Sequence, residues 1–221
     1  MIQQGTLEWI NARRGLVTAS RMADLTDRLK SGLPGAKRTN YMGQLLAERL
    51  TGVVTNGYKS AAMRHGTDTE PEARKHYAFF TNATVKEAGF ILHPSIAEAG
   101  ASPDSFVGDD GLLEIKCPDT KNHADTLLSE EIPEQYLPQC HWQMACTGRK
   151  WVDFVSYDPR MPGWGMIFIK RLHRDEDVIA SLEKEVTEFL NELRETERRL
   201  KAKYDPDNTD APEVGRELLA G

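Results

Sequence analysis

The sequence predicts a layered α+β, or mixed α/β, domain. Two patterns point there. Apolar residues recur at helical spacing in several segments, above all near the C-terminal end. Between them lie strand candidates separated by Gly, Pro and Asp turns. Helices, a strand cluster, a helix, two strands and a closing helix, in that order, favour packed layers.

The first part reads helical: Thr18-Ala19-Ser20 precedes a short helix that the 31–35 stretch, with Pro34, breaks. A second helix is expected over 40–50, with Met42, Leu45, Leu46 and Leu50 on one side and Gly52 as its stop. From 61 to 80 the pattern is helical again. Pro71 requires either a start near Thr67–Thr69 or a kink, since proline inside a helix costs roughly 3 kcal/mol. Strands are expected over 84–92, 100–107 and 112–117. The Gly108-Asp109-Asp110-Gly111 turn should make the last two antiparallel neighbours. A helix over 132–147, strands over 151–157 and 165–172, and a long amphipathic helix over 175–203 complete the order. In that last helix Ile179, Leu182, Val186, Phe189, Leu190 and Leu193 share one face. A single domain therefore spans 1–203, and 204–221 reads as an acidic, flexible tail.

With 221 residues the chain can bury one core of its own. No apolar run reaches the roughly 18 residues of a membrane span, so no membrane role is expected. The first 18 residues lack the apolar centre of a secretory signal, so a cytoplasmic protein is expected. Three cysteines without a CxxC pair read as reduced thiols. A net charge of −6 argues against a protein that merely coats nucleic acid, though not against a local basic cleft. Between Arg13 and Arg38 seven basic residues face only Asp24 and Asp27, which fits either such a cleft or a solvated charged face.

The chemistry concentrates in Ser102-Pro103-Asp104 and Glu114-Ile115-Lys116. Alternation along a strand puts Glu114 and Lys116 on one face, and the hairpin brings Asp104 alongside. Two carboxylates and several waters are a sufficient set for a hard cation such as Mg²⁺. Such an ion polarises a phosphate and supplies hydroxide at neutral pH, and a second would stabilise the departing 3′ oxygen. Lys116 could hold the attacking water, neutralise charge on phosphorus, or take a proton if its pKa is lowered. A surface turn beside an ordinary amphipathic strand remains the plain alternative. On the 61–80 helix, Glu70 falls on the face of Ala62, Gly66, Ala73, Tyr77 and Phe80. It is paired with Arg74, offered to a cation, or a plain helix-start carboxylate with Thr69 or Asp68 as cap.

Six pieces, in order, resemble one family: Trp9 with Arg13 and Gly15-Leu16-Val17-Thr18-Ala19-Ser20; Gly66-x-x-x-Glu70-Pro71-x-Ala73-Arg74; Ser102-Pro103-Asp104; Leu113 to Pro118; Tyr136-x-x-Gln139; and Tyr157 to Met161. The chain resembles the phage lambda exonuclease and the YqaJ-type viral recombinase alkaline exonucleases, of the PD-(D/E)xK nuclease superfamily. The resemblance implies a restriction-endonuclease-like core, a central mixed sheet flanked by helices. It implies a processive 5′→3′ exonuclease on linear double-stranded DNA that releases 5′-mononucleotides and leaves a 3′ overhang for strand annealing. It implies Mg²⁺, with Mn²⁺ as a substitute, and two ions held by Glu70, Asp104, Glu114 and the Ile115 carbonyl. Lys116 would serve the attacking water. Arg13, Ser20, Ser102 and Gln139 would hold the 5′-terminal phosphate, although Ser20 reads equally well as a helix cap. Met63 would wedge the duplex end open, or simply pack in the core. A homotrimeric ring and a single-strand annealing recombinase as partner are implied too. Gln143 departs from the aromatic residue often found there, and the 28–38 loop aligns poorly, which leaves the DNA path open. A structure-specific or restriction-type endonuclease on the same fold, or a non-catalytic DNA-binding domain, are the alternatives.

Overall fold

A computed structural model describes residues 2–54 and 61–205, the backbone alone at 61–64. Near the N-terminus are helix α1 (Leu7–Ala12), the short strand β1 (Val17–Thr18), a 3-10 turn (Ala19–Arg21) and α2 (Met22–Leu25). Helices α3 (Ala36–Thr51) and α4 (Ala61–Thr81) follow. The strands β2 (Val85–Glu87), β3 (Ile91–Leu92), β4 (Ala99–Ala101), β5 (Ser105–Val107) and β6 (Gly111–Lys116) come next. Helix α5 (Thr120–Ser129), α6 (Leu137–Thr147), β7 (Trp151–Tyr157), β8 (Ile167–His173) and α7 (Glu176–Tyr204) close the chain.

The main sheet is mixed, with strand order β2-β5-β6-β7-β8. Strand β6 is its middle strand, antiparallel to β5 and parallel to β7. Both of its edges are therefore paired, and packing covers its two faces as well, so that Leu112, Leu113, Glu114 and Ile115 are all buried. On one face Leu112, Val152 and Phe154 join the core that α3, α6 and α7 supply through Tyr41, Trp142 and Phe189. On the other, Leu113, Ile115 and Val155 pack against Ala73 and Tyr77 of α4. The six apolar positions expected on one face of α7 are its six buried residues.

The hairpin turn behaves as its chemistry requires. Gly108 takes φ +50°, and at Gly111 any Cβ would overlap the Trp151 ring.

Several expectations need correction. The 84–92 and 100–107 segments are not single strands. Each is split, the first around Gly89 and the second at Pro103, and β3 and β4 leave to form a second sheet of order β1-β4-β3. Helix α3 starts four residues early, at Ala36. Of the two options at Pro71 the later start is not taken, and helix α4 runs from Ala61 through Pro71 as the 61–80 pattern predicts. Phe80 is not on its buried stripe, being 57% exposed. Helix α5 was not expected at all.

Basic residues between Arg13 and Arg38 are largely engaged within the fold. Arg21 pairs with Asp24, Arg28 with Glu185, and Arg38 with Glu192 at 2.8 Å through both terminal nitrogens. The last two pin the N-terminal helices to α7. All three cysteines are free thiols. Among the described residues, no helix is long and apolar enough to cross a membrane. Of the expected tail, Tyr204 ends α7, and 206–221 lie outside the described residues.

Candidate active site

The β5–β6 hairpin assembles the candidate site. Ser105 pairs with Leu113, so the bend just before β5 runs beside the end of β6. Asp104 sits in that bend rather than on a strand. Its backbone N–H donates to the Leu113 carbonyl (3.2 Å), and its Oδ2 accepts the Ile115 N–H at 2.6 Å. Glu114 and Lys116 share one face of β6, with Lys116 Nζ 2.6 Å from Glu114 Oε1. Glu114 is only 2% exposed.

Helix α6 meets this pair side-on. Gln139 Nε2 donates to Glu114 Oε1 (2.5 Å), and Gln143 Nε2 donates to Oε2 (2.5 Å). Gln139 Oε1 accepts in turn from Lys116 Nζ at 3.3 Å. From the other face α4 brings Glu70, paired with Arg74 one turn on. Arg74 also donates to Ser105 Oγ and to Glu87, both at 3.0 Å. Glu70 is thus paired with Arg74, and it stands in the middle of α4 rather than at a helix start.

The electrostatics bear the mark of crowded negative charge. Burial lifts the Asp104 carboxyl well above its ordinary range, and the charges of Glu114 and Glu70 add to the rise against Lys116 and the Ile115 N–H. Burial, then the neighbouring Glu114 and Glu87, raise Glu70 despite Arg74. Burial alone would lower the Lys116 ammonium, but Glu114 and Asp104 outweigh it and hold it above its usual value. The neighbouring carboxylates thus favour its charged, donating form. Burial also pushes the adjacent Cys117 thiol up to about 12, which keeps it protonated.

Whether the residues fit a divalent cation turns on this charge balance. Among the described residues, no three His, Cys, Asp or Glu side chains converge as a ready-made metal cage. Glu114 instead spends both oxygens on amide and ammonium donors, and Glu70 spends Oε1 on the Arg74 guanidinium. Yet Mg²⁺ needs only one or two carboxylates besides water. Buried carboxylates whose ionisation is opposed by one another are groups that a cation relieves. The donor set fits a hard cation held through Asp104 and Glu114, with Glu70 in reserve behind Arg74.

A second feature lies by the N-terminal helices. A cavity of about 270 Å³ is lined by Trp9, Arg13, Thr18, Ser20, Arg21 and Glu48, among others. The Arg13 guanidinium lies 3.8 Å over the Trp9 ring, and its buried Nε has no hydrogen-bond partner. Burial draws its pKa down to about 10, partly offset by Tyr41 and Glu48. Among the described residues Arg13 has no carboxylate in ion-pair range. Trp9 Nε1 donates to Ser102 Oγ (2.9 Å), two residues before Asp104.

Arg13 and Ser20 therefore share one cavity, and Ser102 is tied to it through Trp9. Gln139 is found instead on Glu114 and Lys116. The Ile115 side chain is buried, with its N–H on Asp104. Met63 has its side chain outside the described residues. Sequence reasoning missed Gln143 as a partner of Glu114. Its spacing one helical turn after Gln139 is the signal that could have found it.

A family model described as the YqaJ-like viral recombinase domain matches residues 8–150. The structure is similar to that of an alkaline exonuclease, LHK-Exo, from Laribacter hongkongensis, at 48% identity and a TM-score of 0.83 over 89% of this chain and 96% of that one. LHK-Exo in complex with dAMP gives 47% identity and a TM-score of 0.84 with the same coverage. A phage-related exonuclease from Haemophilus somnus 129PT shares the fold, at 14% identity and a TM-score of 0.68 over 84% and 96% of the two chains. Comparison with curated protein sequences finds no match.

Proposed function

The chain belongs to the YqaJ-like viral recombinase family, alongside an alkaline exonuclease at 47% identity, and from that premise we propose that it is a Mg²⁺-dependent 5′→3′ exonuclease of linear double-stranded DNA. The observation that carries the reading is the meeting of Asp104, Glu114 and Lys116 at one end of the central hairpin, with Glu70 across from them.

Asp104 and Glu114 would hold the metal, two ions in all, with the Ile115 carbonyl and Glu70 completing the set; Mn²⁺ would substitute. Bound there, the ion supplies Lewis-acid polarisation of the scissile phosphate and a water of lowered pKa. Lys116, kept charged by its two carboxylate neighbours, donates to the phosphate oxygens as negative charge builds on them. Arg13, which has no carboxylate in ion-pair range among the described residues, presents its guanidinium to the cavity, which suits a terminal 5′-phosphate dianion, with Ser20 and Ser102 as hydroxyl donors. Gln139 would add its amide from the Glu114 side. Trp9 holds both Arg13 and Ser102 in place. The products would be 5′-mononucleotides and a 3′ single-stranded overhang, the substrate of a strand-annealing recombinase partner. A homotrimeric ring would keep a chain of net charge −6 on DNA through an inner lining, and processivity would follow from it.

Linear duplex labelled at each end in turn tests this. With Mg²⁺ the 5′ label should leave first as mononucleotide, EDTA should stop the reaction, and closed circular DNA should stay intact. Nicking of the circle would turn the reading to an endonuclease on the same fold. No metal-dependent cleavage of any duplex would end it.

A further inference from the structure

The hydrogen bonds on Glu114 are unequal, and the inequality points to a role for Gln143. Oε1 receives Lys116 Nζ and Gln139 Nε2. Lys116 keeps 25% of its side chain exposed, so this oxygen lies toward the open side of the site. Among the described residues Oε2 receives only Gln143 Nε2, from a side chain with no exposure at all. Gln143 stands between Trp142 and Met144, both fully buried, on a helix buried from Gln139 to Cys146. Among the described residues its buried Oε1 has no hydrogen-bond partner. An apolar residue would fill such a place without leaving an acceptor unmet, so packing alone does not account for a glutamine. The amide is oriented for one task, donation to a catalytic carboxylate.

We infer that Gln143 is a positioning residue for Glu114: it pins Oε2, sets the plane of the carboxylate, and leaves Oε1 as the oxygen free to exchange Lys116 and Gln139 for a divalent cation. This rests on the metal-dependent reading above. Outer partners that orient a ligand tune the metal without touching it. Gln143 would differ from Gln139 in this respect, since Gln139 bonds both Glu114 and Lys116 and would rearrange with them.

The test is calorimetric titration of the full chain with Mn²⁺, without DNA, for wild type and Gln143→Met. Methionine keeps the length and loses the donor. The expected result is Mn²⁺ affinity weakened about 10- to 100-fold. At saturating metal, KM for DNA ends should be unchanged and kcat lowered. A variant that melts earlier yet binds Mn²⁺ as tightly as wild type assigns Gln143 to packing and overturns the inference alone. Absence of Mn²⁺ binding by the wild type overturns both it and the proposed function. Should Gln143→Met fail to fold, Gln143→Asn, which withdraws the amide by one methylene, is titrated in the same way. It should show the same loss, and wild-type affinity there would refute the role.

Discussion

Arg13→Met should make the protein more stable and less active, and the two effects come from one cause. Among the described residues the half-buried guanidinium lines a cavity, stacks on Trp9, leaves its buried Nε unbonded and has no carboxylate in ion-pair range. Holding it near pH 10 instead of its ordinary value means the folded state disfavours the charge by about 3 kcal/mol. The sign is destabilising at neutral pH, because the folded value lies below the unfolded one and the group is charged in both states. Methionine removes that cost and forfeits a cation–π contact of about 1 kcal/mol. A net gain of up to about 2 kcal/mol remains, or a rise of a few degrees in Tm for a chain of this size. Against this, the variant loses a charged fork for the terminal phosphate. Two charge-assisted hydrogen bonds at about 1.5 kcal/mol each correspond to about a 100-fold loss of kcat/KM on 5′-phosphorylated ends. On 5′-hydroxyl ends the change should stay within about threefold. Melting curves and single-turnover digestion of the two end types check both halves. Equal losses on both ends would refute the phosphate role. A fall in Tm of several degrees would refute the claim that Arg13 is held against its own solvation.

Three further outcomes are expected. Lys116→Ala should lower kcat about 10²- to 10³-fold while affinity for DNA ends, read by fluorescence anisotropy, stays near wild type; loss of binding instead would make Lys116 a DNA anchor. The Arg38–Glu192 pair is lopsided, 3% against 51% exposed, so its two deletions should differ. Arg38→Ala leaves a carboxylate that water can serve and should cost about 1–2 kcal/mol. Glu192→Ala strands a buried cation and should cost about 3 kcal/mol. Urea unfolding ranks them, and the reverse order would contradict the burial argument. At Asp158 burial pushes the carboxyl up, but Arg160 and Thr120 win and hold it at about 2. A folded value below the unfolded one gives stability that is present above about pH 4 and lost as pH falls toward 2. Arg160→Met should therefore raise the midpoint of acid unfolding, and an unmoved midpoint would show the pair to be idle.

What the sequence reveals depends on whether burial is achieved by apolar side chains. Helix α7 shows its face through six buried aliphatic and aromatic residues, and the β5–β6 turn shows itself through Gly108 and Gly111. Helix α5 stays hidden because its buried residues are His123 and Thr126. His123 is satisfied by hydrogen bonding, to Ser156 Oγ at 2.7 Å and the Gly165 carbonyl at 2.8 Å, which leaves no apolar period to read. The split of the 84–92 and 100–107 segments is equally silent, since both halves of each are strand and only the sheet they join changes. In the candidate site, Asp104, Glu114 and Lys116 are legible because a strand's alternation and one turn fix their approach. Gln143 is not, because the bond it makes spans 29 positions and depends on how α6 crosses the sheet.

The fate of the basic residues sharpens the functional argument. The excess between Arg13 and Arg38 fits either a DNA cleft or a solvated face in the sequence, and Arg21, Arg28 and Arg38 are spent on Asp24, Glu185 and Glu192. Such surface and half-buried pairs hold helices together and offer phosphate little. Among the described residues two local imbalances bear on the site: an arginine with no carboxylate in ion-pair range beside a cavity, and carboxylates crowded at the end of β6. One calls for an anion and the other for a cation. Trp9 joins them through Ser102, two residues from Asp104, a reach of about 7 Å of extended chain. A DNA end carrying its terminal phosphate, together with a divalent ion, would relieve both at once, whereas internal duplex would relieve only the second. On the proposed function, preference for ends thus arises from charges the fold leaves uncompensated rather than from any broad attraction to DNA, as befits a chain of net charge −6.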